Sequence, residues 1–242
     1  MLHKTRGIVL KTTDYAENSV IVKIFTQKFG LQSYLINGVK KPKAKIRLNM
    51  LQPLHILDMV VYHKPNGGIQ RISDARSEPI LQSIPYDIVK SSLVLFMNEM
   101  IYKSLKQEDD DEVMFEFIEK SIELLDKTEK GIANFHLIFL MKLTRFLGFY
   151  PDMSLADSSS FFDLKNGVFV KHQPLHLFFI EEKYVAQWLQ ILRNSMDNFL
   201  AIKLDAATRK YFIQKVIDYY ALHIEGFGEV KSHIILEEVL TP

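Results

Sequence analysis

The chain contains no cysteine, and this absence excludes several kinds of chemistry at once. Without thiols there are no disulfides, no thiol nucleophile and no thiolate ligands for zinc. No apolar run approaches the roughly 20 residues that a membrane span needs. The first residues, Met1 to Arg6, also lack the apolar stretch of a secretory signal. We therefore expect a cytoplasmic protein without a membrane partner.

Recognisable enzyme signatures are missing as well. The sequence has no Gly-x-Ser-x-Gly elbow, no phosphate-binding Gly-rich loop and no dinucleotide fingerprint. Its eight histidines fall in no triad context, and Pro174 between His172 and His176 breaks the helical geometry of a His-x-x-x-His metal pair. We expect no enzymatic activity, no metal and no cofactor.

Charge is distributed very unevenly along a chain whose formal net charge is only +1. Residues 1–80 contain 13 Lys and Arg against 5 Asp and Glu, a net of +8, so the other 162 residues carry −7. The densest cationic segment is Lys-Lys-Pro-Lys-Ala-Lys-Ile-Arg, from Lys40 to Arg47, with five positive charges and no negative one. This distribution indicates that one end of the molecule contacts a polyanion.

The first 80 residues show the alternation and β-branched content of short strands. A longer excursion that contains the basic segment separates the third strand from the fourth. This layout predicts an OB-fold, a small barrel that binds oligonucleotides, with an SH3-like barrel as the alternative. The five expected strands are Thr5–Lys11, Ser19–Thr26, Leu31–Val39, Leu54–His63 and Gly68–Ala75.

From Pro85 onward the apolar period changes to that of helices. The third expected helix, Gly131–Phe149, is apolar nearly all round and is predicted to be the central helix. Ser160–Val170 reads as a β-hairpin with a type I′ turn near Asn166-Gly167, and the acidic run Glu108–Glu112 as an N-terminal helix cap. The expected helices are Tyr86–Lys106, Glu112–Lys127, Gly131–Phe149, Glu181–Met196, Ala206–Ile224 and Ser232–Leu240.

Together these patterns predict an α+β multi-domain protein. Residues 1–80 are expected to form a five-stranded OB-fold nucleic-acid-binding domain. Residues 81–242 are expected to form a mainly α-helical domain with an inserted β-hairpin near 158–172.

Several ordered motifs resemble the RecO recombination-mediator family across nearly the whole chain. In the first part they are Thr5–Lys11, Tyr15–Ser19, Phe25-Thr26 with Gly30, Gly38–Lys41 and Leu51-Gln52-Pro53. In the second part they are Phe146–Asp152 and His223–Ser232.

The resemblance implies an N-terminal OB-fold followed by a helical domain, in a protein that binds single- and double-stranded DNA and anneals complementary strands. It also implies partners. Relatives act with RecR, and in some lineages RecF, to help RecA replace single-strand-binding protein on DNA, and several bind the acidic, Phe-ended tail of that binding protein. The expected setting is therefore DNA repair and recombination in the cytoplasm, in association with the nucleoid.

This sequence departs from the family at a zinc-binding hairpin that many members form with four cysteines. Ser158, Ser159 and Ser160 stand where the first ligand pair is expected, and a hydroxyl does not replace a thiolate on zinc. We predict a metal-free hairpin stabilised by Phe161, Phe162, Val168 and Phe169, with Trp188 or the central helix as the packing surface.

The candidate DNA contacts combine cations with two aromatic side chains. Tyr15, in a polar turn, and Tyr34, near the basic segment, are the stacking candidates, whereas Phe25 is expected in the core. Five to eight phosphate contacts predict a salt slope of about −3.5 to −5.6 on single strands, at ~0.7 per contact. The full set is Lys4, Arg6, Lys11, Tyr15, Tyr34, Lys40, Lys41, Lys43, Lys45, Arg47, Arg71 and Arg76, with Lys23 as a further cation of the same domain.

A partner site is expected in the helical domain, where cations flank apolar residues. Lys142, Arg145, Phe149 and Arg209 are its candidates for an acidic, Phe-ended peptide, although ordinary helix-surface charge is the slightly favoured explanation for the cations. Two other functions stay open: an RNA-binding translation or ribosome-maturation factor built on the same OB-fold, and a nuclease with a cryptic site.

Overall fold

The computed structural model describes residues 1–65, 67–105, 111–158 and 160–240. By its internal contacts the chain divides into two compact units. The barrel unit comprises residues 1–87 and 105–127, and the helical unit comprises residues 88–104 and 128–242.

The barrel unit is built on five strands that close into a barrel in the order β1-β2-β3-β5-β4. All neighbouring strands are antiparallel except β3 and β5, which pair in parallel. This non-consecutive closure confirms the predicted OB-fold. The strands are β1 (Leu2–Ala16), β2 (Ser19–Thr26), β3 (Gly30–Asn37), β4 (Ile56–Tyr62) and β5 (Ile69–Ser77).

Alternation decides which side chains fill the barrel. Val20, Val22 and Ile24 of β2 are fully buried in its interior, because every second residue of a strand points to the same face. Gly7 of β1 also points inward, where an added Cβ would collide with side-chain atoms of Met59 and Ile24. The barrel core therefore requires the smallest residue at this point.

Strand β1 is much longer than the predicted Thr5–Lys11. Its first half pairs with β4 and its second half with β2, with register shifts between Val9 and Lys11 and between Asp14 and Ala16. Such bulges bend a strand and let one strand serve two sides of a closed sheet. The charged residues of β1, which interrupt its apolar pattern in the sequence, lie on its solvent-facing side.

Helix α2 (Glu112–Lys127) belongs to the barrel unit, although the sequence placed everything after residue 80 in the helical domain. Phe115 of α2 packs against Phe25 of β2 with ring centroids 5.8 Å apart. Phe25 is buried as expected, but on the outer side of the sheet, beneath α2. At the start of α2, Asp111 Oδ1 accepts hydrogen bonds of 2.9 Å from the Val113 and Met114 amides. This confirms the predicted cap for Asp111, whereas residues 108–110 of the acidic run lie outside the described residues.

The helical unit surrounds a central helix, α3. Every residue of α3 except Lys142 is buried, which confirms the prediction of a helix that its neighbours enclose. It is shorter than the predicted Gly131–Phe149, because hydrogen bonds between residues three apart form a tighter turn after Leu143. In the described parts of the chain, none of the helices is long and apolar enough to cross a bilayer. The helices of this unit are α1 (Ile88–Ser104), α3 (Phe135–Leu143), α4 (Glu182–Arg193), α5 (Ala206–His223) and α6 (Ser232–Leu240).

A three-stranded sheet takes the place of the predicted two-stranded hairpin. Strands β6 (Phe161–Asp163) and β7 (Val168–Val170) pair as expected, and β8 (Phe179–Ile180) adds on the other side of β6. The predicted type I′ turn is wrong, because four residues connect β6 to β7. Asp163 organises this longer turn by accepting hydrogen bonds from the amides of Lys165 and Asn166.

Candidate nucleic-acid interface

The basic loop, residues 40–47, is anchored to the barrel by apolar side chains within and beside it. Val39, Ile46 and Leu51 belong to the barrel core and are 4%, 8% and 2% exposed. Because apolar and cationic residues alternate here, burial of Ile46 turns its charged neighbours toward solvent. Among the described residues, no carboxylate lies within ion-pair distance of the four exposed cations of this loop, Lys41, Lys43, Lys45 and Arg47.

Lys40, at the start of the basic loop, is held differently. Its Nζ lies 2.8 Å from Oδ1 of Asp14, near the end of β1. The Val39 amide also donates a 3.0 Å hydrogen bond to the carbonyl of Asn18 in the β1–β2 turn. The basic loop therefore lies beside the β1–β2 turn. Tyr15, 62% exposed, is carried by the same turn region and remains accessible to a base.

A second cationic surface, called here the sheet face, lies on the outer side of β1, β2, β3 and β5. Lys11 is the cross-strand neighbour of Lys23, and Lys23 is the neighbour of Ser33. The adjacent cross-strand row contains Arg71 next to Tyr62, which is 46% exposed. These rows contain no carboxylate. The two rows are Lys11, Lys23, Ser33 and Ile69, and Thr13, Ile21, Leu35, Arg71, Tyr62 and Leu2.

Lys23 and Tyr62 were not among the expected DNA contacts. The signal for Lys23 was present in the sequence, since the buried Val22 and Ile24 on either side place it outward. Tyr62 joins the sheet face only through its pairing with Arg71 on β5, and local sequence does not reveal that neighbour.

Three expected contacts lie instead on a mixed-charge face of β1, β4 and β5. Nη1 of Arg6 lies 2.6 Å from Oε1 of Glu119, and its Nε lies 3.5 Å from Oδ1 of Asp58. Arg76 contacts the same Asp58 carboxylate at 3.0 Å, and this contact raises the pKa of Arg76. The charge of Arg6 is therefore already compensated within the barrel unit, and its expected phosphate contact stays a prediction.

The mixed-charge face encloses a groove of about 450 Å³. Its lining contains the carboxylates Asp58 and Asp74 as well as four cations, which are Lys4, Arg6, Lys28 and Arg76. Burial raises the pKa of Glu119, although Arg6 opposes this effect. Such a surface offers a polyanion both attraction and repulsion, and it does not continue the uniformly positive field of the basic loop.

The stacking role expected for Tyr34 is wrong. Its side chain is fully buried in the barrel interior, where burial raises its pKa. The reason is register. Tyr34 is the cross-strand neighbour of Val22, whose side chain points inward, and opposite residues share a face.

The four expected partner-site residues do not form one cluster. Arg209 is tied into the fold by hydrogen bonds to the Asn134 side chain at 2.9 Å and to the carbonyl of Leu204 at 3.1 Å. Phe149 stacks on His223 with parallel rings 5.2 Å apart. These two residues are therefore structural, which corrects the expectation that they bind a peptide.

Lys142 and Arg145 do share a surface. Arg145 is exposed and lies 4.2 Å above the Tyr150 ring. Lys142 is half-buried and donates a 2.6 Å hydrogen bond to the carbonyl of Leu192, and its burial together with the charge of Arg145 lowers its pKa to about 8. Of the predicted set, Arg145 alone is exposed.

The hairpin does not present a zinc site. Asp163 and His176 lie 3.3 Å apart, but the Asp163 oxygens already accept hydrogen bonds from the turn, and no thiolate is available. Within the described residues, no group of three or more His, Asp or Glu converges in a way that could hold a metal ion. Ser159, one of the expected ligand positions, lies outside them. The residues present do not fit zinc, and the metal-free hairpin stays a prediction.

The hairpin is held by aromatic packing instead. Phe162 is fully buried, with its ring centroid 5.6 Å from that of Trp188 and 4.8 Å from that of Phe169. This confirms Trp188 as a packing surface for the hairpin, whereas Phe161 and Val168 of the predicted set are only half-buried.

Comparison with known proteins adds independent information about the whole chain. Residues 1–79 match the family described as "Recombination protein O N terminal", and residues 85–233 match "Recombination protein O C terminal". A DNA repair protein RecO of Azobacteroides pseudotrichonymphae is 36% identical over 241 residues, which cover 99% of each chain. That of Phocaeicola vulgatus is 33% identical over 241 residues and 100% of each chain. That of Flavobacterium psychrophilum is 34% identical over 240 residues, 98% of this chain and 99% of the relative.

Proposed function

Because this chain belongs to the RecO family of DNA repair proteins, we propose that it is a recombination mediator that binds DNA and anneals complementary single strands. In DNA repair it helps to load the recombinase RecA onto DNA coated with single-strand-binding protein. It acts without catalysis of its own, in the cytoplasm, in association with the nucleoid.

One observation carries this proposal: four cations that have no carboxylate partner among the described residues stand on a loop that Ile46 and its apolar neighbours fix in the barrel core. An anchored loop loses less conformational freedom on binding than a mobile tail does. Neutralised phosphates also release counterions, which favours binding at low salt. The loop is therefore suited to gripping a phosphate backbone without reading its sequence.

Annealing by such a protein would proceed downhill on base-pairing energy. Neutralising the phosphates of two strands weakens their mutual repulsion, and holding both on one protein raises their effective concentration. Contacts through the backbone leave the pairing edges of the bases free, which annealing requires.

Partners complete the proposal. RecR, and RecF where it is present, would act with this protein at gapped DNA. The acidic tail of single-strand-binding protein would contact Arg145, whose guanidinium is exposed beside the Tyr150 ring. Titration of a labelled tail peptide tests this contact: Arg145→Glu should weaken binding, and unchanged binding would remove Arg145 from the site.

The decisive experiment is annealing of complementary strands coated with cognate single-strand-binding protein, with and without this chain. Acceleration supports the proposal, and no acceleration contradicts it. Two further measurements address the alternatives. Preferential binding of RNA over single-stranded DNA of equal length would favour the RNA-binding factor, and cleavage of labelled DNA with Mg²⁺ or Mn²⁺ would reveal a nuclease.

A further inference from the structure

The helical unit presents a protruding apolar loop, residues 171–178, between β7 and β8. Leu175 is fully exposed, Leu177 is 86% exposed and Phe178 is 42% exposed. A group of strongly exposed apolar side chains is typical of an interaction site. We propose that this loop is a second contact for single-stranded nucleic acid, in which the apolar tips insert between bases.

The loop is held in shape by polar contacts at its base. Nε2 of His176 lies 3.3 Å from Oδ1 of Asp163, and Nδ1 of His176 accepts a 3.3 Å hydrogen bond from the Phe178 amide. The carbonyl of Phe178 accepts a further bond of 3.0 Å from the Leu164 amide. These contacts fix the backbone, so the exposed tips are preorganised for insertion into a partner.

Charge identifies the class of partner. The segment 164–180 contains no Asp or Glu, in a part of the chain that is otherwise acidic. Lys165 and Lys171 within it are exposed, as is His172. A partner that combines negative charge with flat apolar surfaces is complementary to such a segment, and single-stranded nucleic acid has both.

Exposure favours nucleic acid over an acidic peptide. A peptide docks in a groove, whereas the side chains of Leu175 and Leu177 are almost entirely exposed. The neighbouring recess, of about 510 Å³, is lined by Lys183 as well as by Glu181 and Glu182, and Lys183 lies 3.1 Å from Glu181, so its charge does not select between the two partners. Exposed Leu and Phe side chains are of the type that wedges between base steps.

This inference rests on the proposed function, since annealing needs two strands and the barrel unit accounts for one. The test uses the full chain with Lys41, Lys43, Lys45 and Arg47 replaced by Gln, so that residual DNA binding reports on other sites. The probe is a 20-nucleotide single strand that contains 2-aminopurine, whose fluorescence rises when a neighbouring base is displaced from the stack.

In this background, binding should raise the fluorescence of the probe. Leu175→Ser with Leu177→Ser should abolish the rise and weaken binding roughly tenfold, and Lys165→Gln with Lys171→Gln should also weaken it. The control is Ile234→Ser with Ile235→Ser on α6, which removes two neighbouring apolar side chains that are 55% and 47% exposed. This control should change neither quantity. Thermal melting confirms that each variant is folded.

Four outcomes would overturn the inference. The loop and control variants could behave equally, or the background protein could lose all DNA binding. The Leu substitutions could abolish binding of the tail peptide while DNA affinity is kept, or they alone could abolish self-association of the parent. Each leaves the proposed function intact if the unmodified chain still anneals strands. Failure of the unmodified chain to anneal would contradict the proposed function itself.

Discussion

Neutralising the basic loop should weaken the salt dependence of DNA binding by an amount that the structure defines. The perturbation is the substitution of Lys41, Lys43, Lys45 and Arg47 by Gln. All four are exposed, and none has a carboxylate within ion-pair distance among the described residues. The substitutions should therefore leave the melting temperature unchanged while they remove four phosphate contacts.

The magnitude follows from the surfaces that remain positive. Apart from Lys40, which is paired with Asp14, the basic loop and the sheet face together offer seven cations, which predicts a slope of log K against log salt of about −4.9 on single strands, at ~0.7 per contact. Removal of four should reduce the slope to about −2.1. Between 50 and 200 mM salt, the parent should then lose roughly 900-fold in affinity and the variant roughly 20-fold. The seven are Lys11, Lys23, Lys41, Lys43, Lys45, Arg47 and Arg71.

The assay is fluorescence anisotropy of a labelled single strand, titrated at several salt concentrations. A matched control removes four other cations of the barrel unit and so changes the net charge equally: Lys4, Arg76, Lys120 and Lys127 to Gln. Arg76, Lys120 and Lys127 are paired with carboxylates, and Lys4 lies in the mixed-charge groove. The control should keep a slope near that of the parent. Equal flattening by both variants would show that net charge, and not the position of the loop, governs binding.

Three further predictions concern the fold that presents these surfaces. Burial lowers the pKa of His136 to about 3, so the neutral imidazole contributes its full stability above the unfolded pKa near 6.5 and progressively less as pH falls toward 3. At pH 5 the free energy of unfolding should be lower by about 2 kcal/mol for this reason. Urea unfolding at pH 8 and pH 5 should show this loss in the parent and not in His136→Leu. Arg6→Gln, which leaves Glu119 without its partner, should lower the free energy of unfolding by about 1–3 kcal/mol and leave the salt slope of DNA binding unchanged; the reverse result would make Arg6 a DNA contact. Phe162→Ala should lower the free energy of unfolding of the chelator-treated protein by about 3–5 kcal/mol. Tightly bound zinc at one ion per chain would contradict the metal-free hairpin.

Much of the architecture could be predicted because its elements carry strong periodic signals. Strand β2 and helices α2 and α6 were predicted with the observed bounds, since each begins and ends where the pattern of apolar residues changes. The assignment of α2 to the barrel unit could not be predicted in this way. Its packing partner Phe25 lies far away in the sequence, and no local pattern encodes that contact.

The candidate site was only partly predictable. Local composition identified the basic loop as a candidate, because charge density is a local property of the sequence. It did not separate Arg6 from Lys41, because the carboxylate that neutralises Arg6 comes from Glu119 on a distant helix. It also misplaced Tyr34, whose orientation depends on strand register and not on nearness to the loop.

Composition and periodicity by themselves determined that this protein has a cationic β-rich part and an acidic helical part, that thiol chemistry is excluded, and that a segment of five cations interrupts a small barrel. Only the tertiary structure decided which cations remain available to a polyanion. The physical reason is that hydrophobic periodicity and charge density are local properties of the chain, whereas a side chain's face and its ion-pair partners depend on which distant strands and helices the fold brings against it.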